Sequence, residues 1–452
     1  MARMLLATHG TNGDVLPFIA LGVALRARGH DVALITHAHY QQTALDAGLE
    51  FVALDTAEAY ERQLDDSHLI MNPLRDPQAL ITFYRRNRLF EQMLDEFYAL
   101  RERVTPDQTV IIARHTTGLA ELLAAEALGV PVVWVALSPS QIMTLPVTTY
   151  MYGQILRDGI DRVRQTLGLP PVHDWRRWLD TPRLQLGLWP EWFAPAEPHW
   201  PKNLSSVGFV LHDPAEDGAL PDAARALLHQ QPPATLITGG TGQLLHAEFY
   251  RVAVAACVQA GRRALLVTRH EELIPQPLPP QIHWFARLPF RAVMTHVDVV
   301  LHHGGMGTLA RALWAGAPQL ILADGADRPD NAARLHRLGL AEWAAPEDWS
   351  VDLIAARLAA LSTPAARQHC AGFRQHIAPA HALETACQQI EAVLTADPER
   401  APGASAVRDR DTAERLRARL RGMTPAQRQA LSQRLRANGE SAALPTTTQE
   451  TP

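Results

Sequence analysis

Apolar positions along this chain fall into short uninterrupted runs, separated by glycine-bearing polar turns and by longer helix-like stretches. Arg3–Thr8 reads as a strand and His9–Asp14 as a polar turn. Pro17 suits the first turn of a helix running to about Arg28, with Gly29 as its C-terminal cap, and Val32–Thr36 is the next strand. The same order returns at Val110–Ala113 (strand), Gly118–Leu128 (helix), Gly129 (cap) and Val132–Leu137 (strand). In the second half, strands at Thr235–Thr238, Ala264–Thr268, Val297–Leu301 and Leu320–Leu322 alternate with helices ending near Ala260 and Trp314. Strands that are apolar throughout imply a parallel sheet covered on both faces.

The length of 452 residues exceeds what one core usually supports. The pattern predicts an α/β protein of two Rossmann-like domains: residues 1–213, a linker at 214–233 rich in Pro, Asp and Ala, and residues 234–397. Residues 398–452 differ. Arg408–Arg436 carries nine Arg against three acids, and Leu416, Leu420, Met423, Leu431 and Leu435 form a loose helical stripe that Pro425 divides. This predicts a basic, helical or disordered tail, a solvated appendage or a peripheral membrane or partner contact.

Composition narrows the class. Apolar residues make up 47% and charged residues 20%, as in globular proteins, and the formal net charge of −5 gives no bulk attraction to nucleic acid. Cys257, Cys370 and Cys387 match no zinc or redox spacing. The first apolar run is too short for a signal peptide, and no segment reaches the roughly 20 apolar residues of a spanning helix. A cytoplasmic location is the expectation.

In parallel sheets ligands bind beyond the carboxyl ends of strands, so the loops that follow strands hold the candidate chemistry. His302-His303-Gly304-Gly305-Met306-Gly307-Thr308 opens a helix. Its glycines let backbone approach a ligand, and the free N–H groups suit a diphosphate, with His303 and Thr308 as side-chain donors. A tight strand–helix turn accounts for the same residues equally well. Asp324–Asn331 offers Asp327 to sugar hydroxyls, or Asp327 or Asp330 as a helix cap. Thr238–Gly242 adds the Thr241 hydroxyl. In the first half, Asp14 faces the interdomain cleft as a general base or caps the Pro17 helix, and His9 is a second candidate base. The nucleotide-cofactor fingerprint G-x-G-x-x-G is absent, and Asp31 precedes its strand instead of following it, which argues against a dehydrogenase.

GTNGDVLPFIALGVALRARGHDVALITHAHY resembles the amino-terminal signature of bacterial nucleotide-sugar glycosyltransferases of the two-domain GT-B type. VDVVLHHGGMGTLARALWAGAPQLILADGADRPDNAARLHRLGL resembles their donor-binding signature. The likeness covers about residues 1–395. It is nearest to rhamnosyltransferases of glycolipid biosynthesis, which share the look of WPEWFAPAEPHWP and TGGTG, and more distant to sterol and macrolide glycosyltransferases. The resemblance implies that Asp14 is the catalytic base. It implies that His303, Gly304, Gly305, Thr308 and Thr241 hold the diphosphate, that Phe285 lies beside the nucleotide base, and that Asp327 binds the sugar. The family's Asp-Gln pair reads Asp327-Arg328 here, which puts the usual hexose preference in question. His302 is an auxiliary candidate. The implied reaction is inverting transfer of a hexose or deoxyhexose from a dTDP- or UDP-sugar to an apolar, lipid or natural-product hydroxyl, without metal or other cofactor. The aromatic stretch 175–200 serves either an apolar acceptor pocket or interdomain packing. A nucleotide-sugar epimerase and a catalytically silent partner protein are the alternatives on the same scaffold.

Overall fold

The computed structural model describes residues 1–70, 73–211, 220–240 and 247–395. Thr241, the basic tail and residues 214–219 of the expected linker lie outside these described residues.

The first sheet contains β1 (Arg3–Ala7), β2 (Asp31–Thr36), β3 (Glu50–Ala53), β4 (Thr109–Arg114), β5 (Val132–Ala136), β6 (Leu184–Gly187) and β7 (Leu204–Ser206). Their order is β3-β2-β1-β4-β5-β6-β7, every pair parallel. The pleat sends alternate residues to opposite faces. Met4, Leu6, Val110 and Ile112 enter one apolar layer, while Leu5, Ala7, Ile111 and Ala113 enter the other. This two-sided burial is why the strands lack polar alternation.

The second sheet contains β8 (Thr235–Thr238), β9 (Ala264–Val267), β10 (Ile282–Phe285), β11 (Val300–His302), β12 (Gln319–Leu322) and β13 (Ala341–Ala344). Its order is β10-β9-β8-β11-β12-β13, again all parallel. In each sheet the order reverses beside the first strand. The crevices open between β1 and β4 and between β8 and β11, where such sheets receive ligands.

Three local findings revise the sequence expectations. The first helix spans Asn12–Ala27 and starts upstream of Pro17, which therefore lies inside it. The Asp14 carboxylate accepts the Thr11 N–H at 2.8 Å, and this capped start outweighs the one hydrogen bond that Pro17 withholds. Within the expected linker, Asp222–Leu228 is helical, and Ala224 and Leu228 pack into the second domain's core. The aromatic stretch is committed to packing. Trp175 and Trp178 belong to the first domain's core. Trp189, Phe193 and Trp200 join a cluster with Leu309, Leu313 and Ile377, and Trp192 meets Phe373 edge-on at 4.8 Å.

The last described helix, Pro379–Thr395, crosses back to the first sheet. Ala386, Cys387 and Ile390 are fully buried in the same layer as Leu6 and Phe18. Glu391 fixes the crossing by accepting from Arg28 at 2.7 Å and lying 2.8 Å from His30 Nε2. No described helix is long and apolar enough to cross a membrane.

Candidate functional site

The turn after β1 is built around Gly10, whose φ of +120° excludes most side chains. A Cβ there would lie 2.3 Å from Asp14 Oδ2, so the glycine leaves room for that carboxylate. Asp14 Oδ2 accepts from Thr11 N, and Oδ1 lies 2.8 Å from Arg114 Nη2. Arg114 also donates to the His9 carbonyl at 3.1 Å, tying the ends of β1 and β4 together across the crevice. Asp14 keeps 21% of its side-chain exposure, so its carboxylate is open to solvent.

A second layer fixes this turn. Gly10 N–H donates to His37 Nε2 at 2.9 Å, which places the His37 proton on Nδ1, where it meets Asp55 at 2.6 Å. Burial holds His37 below the ordinary imidazole range, so it stays neutral. The Tyr60 hydroxyl donates to the Gly10 carbonyl at 3.1 Å. His9 Nε2 lies 3.1 Å from the buried Glu96.

The glycine-rich turn follows β11. Strand alternation sends His302 inward, where it is fully buried. His302 Nε2 faces Gln319 Oε1 at 2.9 Å, and Nδ1 accepts from Gly304 N–H at 3.1 Å. It shapes the turn from beneath and does not face the cleft. His303 emerges beside the start of the Met306–Ala315 helix, whose N-cap is Gly305. A Cβ on Gly305 would come within 2.4 Å of His303 Nε2, and one on Gly240 within 2.6 Å of its Cε1. The imidazole therefore lies in a slot that only glycines at both positions leave open. Burial, then the charge of Arg328, holds His303 well below its ordinary value and keeps it neutral. Thr308 is nearly buried on the first turn of that helix.

The loop after β12 supplies Asp327 and Arg328. Asp327 occupies the N-cap position of the Arg328–Arg337 helix but makes no side-chain cap bond. Its Oδ2 accepts instead from Asn331 Nδ2 at 2.8 Å, and the same amide reaches the Gly304 carbonyl at 3.1 Å. Asn331 thus couples the glycine turn to the acidic loop. Arg328 Nη1 donates to the Asp324 carbonyl at 2.8 Å. Burial raises the Asp327 carboxyl, and the Asp14 charge across the cleft adds to that push. Asp14 and Asp327 therefore share one electrostatic neighbourhood. Phe285, half-buried, ends β10 and packs on the second domain's core. Among the described residues, no three His, Cys, Asp or Glu side chains gather as a metal site would need.

Residues 4–136 match the glycosyltransferase family 28 N-terminal domain, and residues 263–393 match the C-terminal domain of the erythromycin biosynthesis protein CIII-like family. The chain belongs to the GT-B glycosyltransferases. This glycosyltransferase is 28% identical to the O-mycaminosyltylonolide 6-deoxyallosyltransferase of Streptomyces fradiae, over 86% of its own length and 97% of the relative's. It is 26% identical to the vancomycin aglycone glucosyltransferase of Amycolatopsis orientalis, over 80% and 90% of the two chains. Among solved structures, the glycosyltransferase of kitacinnamycin superposes with a TM-score of 0.67 at 21% identity, covering 87% of this chain and 99% of that one. VinC, solved with dTDP, gives 0.64 at 20%, with the same coverage.

Sequence reading located the glycosyltransferase's strand-end loops and missed what holds them. His37 and Asn331 lay inside the quoted segments without a role, and Arg114, Asp55, Tyr60 and Glu96 lay outside them. Arg114 and Glu96 are polar residues beside apolar runs, the one signal that pointed to them.

Proposed function

We propose that this glycosyltransferase moves a hexose or deoxyhexose from a dTDP- or UDP-sugar to a hydroxyl of an apolar natural-product acceptor, with inversion. One observation carries the reading. The carboxylate of Asp14 at the end of β1 and the glycine-walled His303 turn at the end of β11 occupy the switch points of the two sheets. The influence of the Asp14 charge on Asp327 supports the view that both flank one cleft.

In this reading the diphosphate lies against the main-chain amides that open the Met306–Ala315 helix, with His303 and Thr308 beside it. Asp327 accepts from sugar hydroxyls, Arg328 adds a cation where the nucleotide leaves, and Phe285 borders the base. Asp14 takes the acceptor proton as the hydroxyl oxygen bonds to the anomeric carbon. The bond from that carbon to the phosphate oxygen breaks, and the nucleoside diphosphate departs with the electron pair. Preorganised amide donors of this kind lower a barrier by about 3 kcal/mol each. They serve in place of a metal ion, so turnover is expected to survive EDTA.

The acceptor class rests on the relatives, whose names specify a macrolide and a glycopeptide aglycone. The aromatic residues 175–200 do not support it, since packing consumes them. Met143 and Tyr150, after β5, are exposed apolar side chains that such an acceptor could meet. The test is a mass-spectrometric screen of dTDP- and UDP-sugars against macrolide and glycopeptide aglycones, with Asp14→Asn as control. Product with wild type and a loss of about 10²–10⁴-fold with the variant is expected. Equal transfer by the variant would remove Asp14 from the mechanism.

A further inference from the structure

Behind the turn that carries Asp14 lies a buried acid pair that the proposed reaction does not use. Glu96 comes from the helix Leu89–Arg103 and is 3% exposed; Glu121 comes from the first turn of the helix Leu119–Leu128 and is fully buried. Neither Glu121 oxygen, nor Glu96 Oε1, has a donor from the protein. Burial raises both carboxyls, and the charge of Glu96 adds to the rise of Glu121. Natural cores rarely leave such groups without partners, and a proton-handling role is a common reason when they do.

The pair abuts His9. Its Nε2 lies 3.1 Å from Glu96 Oε2, and its side chain keeps 23% exposure. Nδ1 has no partner among the described residues. The other groups around His9 are Asp14 on its own turn, His37 and Asp55 after β2 and β3, and Arg114 at the end of β4. Arg114 is engaged by Asp14. A proton gained by His9 would therefore sit beside Glu96, the carboxyl that its Nε2 already meets.

We propose that His9, held by Glu96, is a second proton acceptor of the transfer site. It serves hydroxyls, water included, that approach beside Asp14. In that step the hydroxyl proton passes to His9 Nδ1 while the oxygen bonds to the anomeric carbon. The nucleoside diphosphate leaves with the electron pair of the broken bond, and the imidazolium returns its proton to water after release. Burial, the leading influence on His9, keeps the ring neutral at pH 7 and so able to accept. Glu96 is pushed up to about 7 by burial. The inference rests on the reading of this turn as the acceptor side.

The test uses the full chain and dTDP-glucose with water as acceptor, reading released dTDP between about pH 5 and 9. Asp14→Asn should retain a residue of hydrolysis. Adding His9→Asn or Glu96→Gln should cut that residue at least about tenfold, and Glu121→Gln should move its acidic limb, while dTDP affinity holds. His9→Asn, at a part-exposed position, covers the case in which Glu96→Gln does not fold. Residual hydrolysis untouched by both second substitutions would overturn the proposal. Undiminished hydrolysis by Asp14→Asn alone would overturn the role of Asp14 instead, and this inference with it.

Discussion

Arg114 and Asp14 meet at 2.8 Å at the point where the first sheet reverses its strand order, one from the end of β4 and the other from the first turn after β1. The pairing does more than neutralise a charge. Both side chains are about one-fifth exposed, and Arg114 also holds the His9 carbonyl, so the carboxylate has a fixed direction. A base that must meet a hydroxyl within hydrogen-bond distance depends on such direction.

Arg114→Ala is therefore expected to lower kcat by about 10²-fold while leaving the KM for donor nearly unchanged, because the donor turn lies on the other sheet. Arg114→Lys should recover only part of the loss, since an ammonium cannot bond the carboxylate and the carbonyl with the same fixed fork. Steady-state kinetics on donor and acceptor separately would check this. A rise in donor KM with kcat intact would refute it.

Gly305 has an ordinary helical-cap backbone, so an alanine there meets no conformational penalty. Its methyl would instead strike His303 Nε2. Gly305→Ala should weaken dTDP binding about tenfold or more in calorimetry, with Tm little changed. Unaltered affinity would mean that the imbedded imidazole does not face the nucleotide.

Asn331 donates one amide to both Gly304 and Asp327 and is fully buried. Asn331→Ala orphans a buried carbonyl and a carboxylate, at a cost of about 1–3 kcal/mol and a Tm lower by a few degrees. Donor affinity should fall with it, whereas Asn331→Asp should fare worse by setting two acids together. Scanning calorimetry with and without dTDP separates the two effects.

Glu391 sits about 2, held down first by its hydrogen bonds to Arg28 and aided by His30. Unfolded, it would titrate near the usual carboxylate value of about 4.3. Its contribution to stability is thus full above that value and fades as pH falls towards 2. Glu391→Gln should flatten the fall of Tm through this window, and hydrogen exchange should rise first in Pro379–Thr395. A variant with the wild-type acid profile would refute the link.

The βα order was legible because apolar runs and glycine caps are local signals. Gly29 and Gly129 end their helices with positive φ where the pattern placed them. The strand-end loops were legible for the same reason. What escaped was contact at long range: Arg114 lies a hundred residues from Asp14, and no periodicity links them. His302 and His303 could not be separated by composition. The pleat separates them, because a residue ending a strand and its successor point to opposite sides. The helix start at Asn12 was missed because Pro17 is the louder signal and the Thr11–Asp14 cap the stronger force.

The return of Pro379–Thr395 to the first sheet bears on engineering. A chimera that exchanges donor modules by cutting once between the sheets would hand the acceptor half a foreign lid over Leu6 and Phe18. Grafts should therefore take two crossovers, leaving the helix Pro379–Thr395, with Glu391 and its Arg28 anchor, on the side of its host sheet.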